Sequence, residues 1–365
     1  MTVGKRGRAT LRHVAERAGV SVTTASFVLS GRRDMRISAA TEERVFQAAR
    51  TLDYRRRLVP RATLPAGAPA IGLVSDVVAT ESFAGEMIRG CIAAATEAGH
   101  VILVADTEGV DDLETSAVKA LLARGVDKFV YATMATTIHT VPRVLRDRRV
   151  VLVNTVDPTL AAPAVIPDDT RAGRTAAQTL VDAGHTTGIW LVGKVLPEGV
   201  AARRRFSGIE SALGKAGLTL AGRVDCDWWP NAAREALDAL FAAGWWARER
   251  PTAVIALNDR AGMGVYQAVA AAGLRIPDDL SVVSFDNSDL ARWLDPALSS
   301  VDLPYFDLGR KAVELLVAED SAPRVHKLPM ALRSRDSVAV RATAAVVSPR
   351  SGRAAPQRRP TAPRA

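Results

Sequence analysis

The chain lacks any long apolar run: none of its 365 residues lie in a stretch near the roughly eighteen uninterrupted apolar positions of a membrane-spanning helix. The basic start, MTVGKRGRATLR, has no apolar segment behind it, so no secretory leader is expected. Cysteine is scarce. Cys91 and Cys226 stand far apart without metal-ligand spacing, which suits a reduced cytoplasm and two small buried apolar side chains. The five histidines, at 13, 100, 139, 185 and 326, show no metal-binding spacing either, and no cofactor is expected. A G-x-S-x-G nucleophile turn is missing. GIWLVGKV, Gly188 to Val195, matches G-x-x-x-x-G-K but lacks the Ser/Thr that follows in a phosphate loop, and its β-branched and aromatic interior reads as a strand. GMG at 262–264 is too short for a dinucleotide fingerprint. These absences leave an enzyme as a distant competitor. A free-standing solute-binding protein would need an export signal and no basic head.

What is present is uneven. Residues 1–64 carry 14 Lys+Arg against 5 Asp+Glu, and positions 346–365 carry five arginines and no acids, so the middle is net acidic. A basic head on a mildly acidic body is the electrostatic footprint of a nucleic-acid-binding module joined to something else.

Three short helical patterns crowd into 10–53. Thr10 can cap the first, which Gly19 stops; Ser21 can cap the second and Ser38 the third, whose Val45, Ala48, Ala49 and Leu52 recur at helical spacing. On the second helix Ala25, Val28 and Leu29 share one face, and Val22, Thr23, Ser26, Phe27 and Ser30 the other. The first face suits packing and the second suits a major groove, which is the arrangement of a helix-turn-helix. Residues 54–68, YRRRLVPRATLPAGA, have linker composition.

From Ala70 short apolar β-branched runs alternate with amphipathic helices: AIGLVS, HVILVAD, KFVYAT and VVLVN, then GIWLVG, TAVIAL and SVVSFD. Such alternation predicts two doubly wound parallel-sheet lobes with a ligand cleft between them near the strands' carboxyl ends. The fold class is therefore an N-terminal all-α helix-turn-helix head plus an α/β body. The expected boundaries are a basic arm at 1–9, the head at 10–56, a hinge at 57–68, the two-lobed body at 69–344 and a disordered Arg/Pro/Ala-rich tail at 345–365.

The run TLRHVAERAGVSVTTASFVLSG, followed by a helix ending TLDY, closely resembles the head of the lactose-repressor (LacI/GalR) family of bacterial transcription regulators. That family carries a T-x-x-D-V-A-x-x-A-G-V-S-x-x-T-V-S-R-V-L-N-G pattern. The resemblance extends to LRSRDSV near residue 338, which looks like the family's terminal L-x-x-R-x-S. It implies a periplasmic-binding-protein-like body and a cytoplasmic repressor that reads a pseudo-palindromic operator as a homodimer or dimer of dimers. A small-molecule effector, in the family often a sugar or nucleobase-like compound and here expected to be carbohydrate-like, would rotate one lobe against the other and shift DNA affinity.

By this resemblance Val22, Thr23 and Phe27 occupy base-reading positions, while Thr10, Ser21, Thr24 and Ser26 hold phosphates or cap helices. Phe27 departs from the arginine usual there. Arginine reads guanine bidentately, whereas phenylalanine offers only apolar contact, for instance to a thymine methyl. In the hinge, Tyr54, Arg55, Arg56 and Arg57 lead into a segment where the family inserts a leucine into the minor groove. Thr63 stands at that place, with Leu64 one position later and Pro60 inside the would-be helix. Weakened kinking with salt-sensitive arginine contacts is expected. The matching effector positions are Asp76, Phe83, Asn154, Arg205, Trp228, Asn258 and Asp286, with Asn154 in place of a more usual aspartate. Arginine, carboxylate and amide groups bind vicinal hydroxyls, and an aromatic face stacks on a sugar's C–H surface.

Overall fold

The computed structural model describes residues 10–30, 37–52, 64–77, 81, 83–318 and 322–341. The head is three helices: α1 (Leu11–Ala18), α2 (Val22–Ser30) and α3 (Ala39–Thr51). Local chemistry sets their ends. Thr10 Oγ1 accepts from the His13 N–H and His13 Nδ1 accepts from the Thr10 N–H, a reciprocal capping box, while Gly19 closes α1 in the left-handed region at φ 65°. Ser21 and Ser38 accept from the N–H groups of Thr24 and Thr41. Helices this short are not stable alone. They are held by a shared apolar cluster of Val14, Ala15, Ala18, Ala25, Val28, Val45, Ala48 and Ala49, and by Arg44 of α3, whose Nε donates to the orphan Ala18 carbonyl at 3.3 Å.

The α/β body follows in chain order as β1 (Ala70–Ser75), α4 (Ala84–Glu97), β2 (Val101–Asp106), α5 (Asp111–Leu122), β3 (Lys128–Ile138), β4 (Arg149–Val156) and β5 (Ala164–Pro167). Next come α6 (Asp169–Asp182), β6 (Ile189–Val192), α7 (Val200–Lys215), β7 (Gly222–Val224), α8 (Pro230–Ala242), α9 (Trp245–Glu249), β8 (Ala253–Ala256), α10 (Asp259–Ala271), β9 (Ser281–Asp286), α11 (Asp289–Trp293) and β10 (Ser299–Asp302). The chain closes with α12 (Tyr305–Val317), β11 (Val325–Leu328) and β12 (Leu332–Arg333). Among the described residues no helix is long and apolar enough to cross a membrane.

These elements form two six-stranded sheets, β11-β5-β4-β3-β1-β2 and β12-β10-β9-β8-β6-β7. The pairs among β1–β4 and among β6–β10 are parallel, and β12 joins β10 antiparallel. β8 is buried throughout and β4 is buried along all but its two end residues, as parallel strands covered on both faces must be. Contacts divide the chain into unit 1, up to Ile166 plus Tyr305–His326, and unit 2, Pro167–Pro304 plus the chain from Lys327.

Unit 1 is thus completed by α12, which is separated from the rest of it in sequence by the whole first pass through unit 2. Its docking on α4 depends on glycine at two places. A Cβ at Gly90 would stand 2.0 Å from the Phe306 carbonyl oxygen, and one at Gly309 would stand 2.2 Å from that of Met87. Unit 2 uses the same device between α6 and α7, where Gly173 meets the Arg205 carbonyl and Gly208 that of Thr170. Both cysteines are buried.

Candidate functional site

On α2 the packed face is as expected, and the opposite face is open at its start. Ala25 and Val28 are buried and Leu29 packs against them, whereas Val22 is 45% exposed and Thr23 lies open to solvent. Ser21 Oγ, the cap, also meets Thr24 Oγ1 at 2.8 Å, so these two hydroxyls fix the start of the helix. Ser26 and Phe27 are half-buried. Thr10 serves as the cap of α1, and Ser30 ends α2. Tyr54, Arg55, Arg56 and Arg57 lie outside the described residues, as do Pro60 and Thr63. Leu64 is half-buried in an irregular stretch just before the turn in which the Ala68 N–H donates to the Pro65 carbonyl.

Three of the expected effector residues sit at the carboxyl edge of the first sheet. Asp76 follows β1, and the strand register carries it beside Thr133 of β3 and Asn154 of β4. The Asp76 carboxylate accepts from the Val77 and Met134 N–H groups; burial raises its pKa and those bonds oppose the rise. Asn154 is 1% exposed and adopts φ 56°, and its Oδ1 has no hydrogen-bond partner. A buried carbonyl oxygen without a donor is costly. Phe83, just before α4, stacks on Tyr305 of α12 at 5.5 Å, and the Tyr305 hydroxyl donates to the Met134 carbonyl.

The other four gather at the carboxyl edge of the second sheet. Of the run Arg203, Arg204 and Arg205, only Arg205 is buried, at 3% exposed. Its Nε donates to Asp169 at 3.0 Å and its Nη1 to the Leu257 carbonyl at 2.6 Å, with Asp286 Oδ1 3.5 Å from Nη1. The guanidinium also lies over Phe285 and Trp228, at 4.7 and 5.7 Å from the ring centres. Trp228 is anchored by its indole N–H to the Lys194 carbonyl. Asn258 caps α10, accepting from the Ala261 N–H, and donates through Nδ2 to the Trp228 carbonyl. It therefore orients the tryptophan as well as the helix.

Sequence reading missed Asp169 and Asp259. Asp259, wholly buried, accepts from the hydroxyls of Ser284, Ser288 and Ser300 and from the Ser288 N–H. These serines come from three separate segments, and only the fold brings them together. An aspartate directly after Asn258 in LND was the one available signal.

Burial pushes the Asp286 carboxyl from 3.8 up to about 7, the Arg205 guanidinium opposing and Asp259 adding to the rise. Between those values the folded chain holds a proton that the unfolded chain has lost. The stability this group contributes is therefore full below pH 3.8 and is lost as pH climbs to about 7. Urea unfolding of the wild-type chain and Asp286→Asn should give a stability difference that changes across that window. A difference constant with pH would contradict the assignment.

Comparison with known proteins agrees with this geometry. Residues 10–57 match the model of bacterial regulatory proteins, lacI family, and residues 177–338 match that of the periplasmic binding protein-like domain. The HTH-type transcriptional repressor PurR of Vibrio vulnificus (strain CMCP6) is 29% identical over 344 residues, spanning 90% of this chain and 98% of its own. Catabolite control protein A of Priestia megaterium is 28% identical over 310 residues, spanning 84% and 91%. Among solved structures, a transcriptional regulator CelR–cellobiose complex superposes with TM-score 0.63 at 26% identity, covering 90% of this chain and 100% of that one. The Lac repressor bound to ONPG has the same fold, with TM-score 0.63 at 23% identity over 90% of this chain and 99% of that one. With a capped helix-turn-helix head, two parallel sheets and relatives that match along nearly their whole length, the chain belongs to the LacI family of bacterial regulatory proteins, DNA-binding regulators of transcription.

Proposed function

We propose that the chain is a cytoplasmic repressor that acts as a homodimer on a pseudo-palindromic operator, with Val22, Thr23 and Phe27 reading bases. The observation that carries this reading is the start of α2, where Ser21 caps the helix and Val22 and Thr23 lie open to solvent, the part of a recognition helix that meets base edges. Operator affinity is set by a small carbohydrate-like effector that takes Asp76, Phe83, Asn154, Arg205, Trp228, Asn258 and Asp286 as partners. Supporting the effector class, the Arg205 fork is preset by Asp169 and the Leu257 carbonyl and lies over the Trp228 ring, and, in unit 1, Asn154 holds an unpaired acceptor. The CelR relative was solved with cellobiose.

Operator selection from random DNA, repeated with sugars present, tests both parts. A pseudo-palindromic consensus whose recovery changes with one sugar is the expected result; a monomer that binds a single site tightly defeats the dimeric reading. Phe27 supplies a sharper test. Phe27→Arg should introduce a preference for guanine at one position in each half-site, of about 1–3 kcal/mol. An unchanged base preference sinks the direct-contact role.

A further inference from the structure

The first helix of the head is closed by a reciprocal pair of hydrogen bonds in which one partner is a histidine. The His13 N–H donates to Thr10 Oγ1 at 3.4 Å, and the Thr10 N–H donates to His13 Nδ1 at 3.3 Å. The side chain that returns the second bond is ordinarily that of Glu or Gln, whose oxygen accepts throughout the neutral range. An imidazole nitrogen accepts only while it carries no proton. The bond from Thr10 therefore exists in one form of the ring alone, the neutral tautomer with its hydrogen on Nε2. Both side chains are exposed, so the pair is open to protons from solvent.

A second proton on the ring acts twice in the same direction. It turns Nδ1 into a donor facing the Thr10 N–H. It also puts a cation on the first turn of a helix, the end that unpaired N–H groups already make positive. No acidic side chain stands in that turn to offset the charge. On the same helix Glu16 is bonded by Arg12 at 3.0 Å, and Arg17 lies in the last turn. Of the helices packed against α1, α2 carries no charged residue. The described charged side chains of α3 are Glu42, Glu43 and Arg44, and Arg44 bonds the Ala18 carbonyl at the opposite end of α1.

The start of α1 matters to the reading helix because the two share one core. With only eight residues, α1 is not stable alone, and its Val14, Ala15 and Ala18 pack in the cluster that holds Ala25 and Val28 of α2. We propose that His13 is a positioning residue for operator binding that works only while its ring is neutral, so the head is firm at neutral pH and loosens on acidification. It acts through Thr10 and the first turn of α1, not by touching a base.

Amide hydrogen exchange of the full chain, read on peptides from α1 and corrected for the intrinsic rate at each pH, tests this beside operator affinity. His13→Gln keeps the reciprocal bonds with an amide that does not titrate, and at about pH 8 it should match the wild type. His13→Ala should lose about fivefold in protection there, the equivalent of about 1 kcal/mol. At about pH 5 the wild type should fall to the level of the alanine variant while His13→Gln holds. Operator affinity should follow, the ratio of wild type to His13→Gln dropping as pH falls. A ratio that is constant with pH overturns the proposal, as does protection indifferent to His13→Ala at the higher pH. An affinity ratio that rises on acidification overturns it too, and assigns the protonated ring to the DNA phosphates instead.

Discussion

Arg205→Ala is expected to destabilise unit 2 by about 3–5 kcal/mol and to abolish the response to effector. The side chain is 4% exposed and its partner Asp169 is 0% exposed, so the substitution leaves a carboxylate in the interior with its cation gone. The Leu257 carbonyl loses a donor, and Phe285 and Trp228 lose the guanidinium that covers them. Asp286 loses the neighbour that favours its ionised form, so its carboxyl moves still further toward the neutral state. Urea unfolding followed by tryptophan fluorescence measures the first effect, and titration with sugars the second. Arg205→Lys separates them: it retains a charge for Asp169 but not the rigid fork, so it should recover part of the stability and little of the binding. A loss below about 1 kcal/mol for the alanine variant would mean that Asp169 is solvated or otherwise satisfied.

Gly90→Ala should destabilise unit 1 by about 1–3 kcal/mol, although helix propensity predicts the opposite sign. Gly90 lies in the interior of α4, where alanine ordinarily stabilises a helix by about 1 kcal/mol relative to glycine. Here its Cβ would stand 2.0 Å from the Phe306 carbonyl oxygen and 2.9 Å from the Arg310 nitrogen, both backbone atoms of α12. No rotamer change can relieve a clash with backbone, so α12 must lift. That would also disturb the Tyr305 ring, which stacks on Phe83, and the ion pair between Arg310 and Glu97. Gly85→Ala on the same helix is the matched control. Nothing lies within 4 Å of its Cβ position, and it should be neutral or stabilising. Thermal unfolding of the two variants decides the matter: the same sign for both would show that backbone contact between α4 and α12 does not govern the cost.

The legible parts of this protein were those written in neighbouring residues. Thr10, Gly19, Ser21 and Ser38 announce helix ends because capping acts over three or four positions, and the structure uses all four in that way. AIGLVS and SVVSFD are strands with the expected bounds, because an unbroken β-branched run has one favourable environment, the middle of a parallel sheet. The effector positions were found through the family resemblance, and the fold draws them into two groups, one at the carboxyl edge of each sheet. Asn258 caps α10 and also holds the Trp228 carbonyl, two bonds that only the fold reveals.

The sequence by itself determined a basic three-helix head, an α/β body of two strand–helix series, and Phe27 and Asn154 as departures from the family pattern. Only the tertiary structure decided that α12 returns to complete unit 1, that Gly90 and Gly309 are the notches that admit it, and that one arginine of three is buried against Asp169. It also decided that Asp259 gathers three serines and that Trp229 stays open beside Trp228. The physical reason is range. Caps, turns and hydrophobic periodicity act within a turn or two of chain. Steric fit between backbones, desolvation of a carboxylate and the exposure of one indole over its neighbour depend on residues tens to hundreds of positions away.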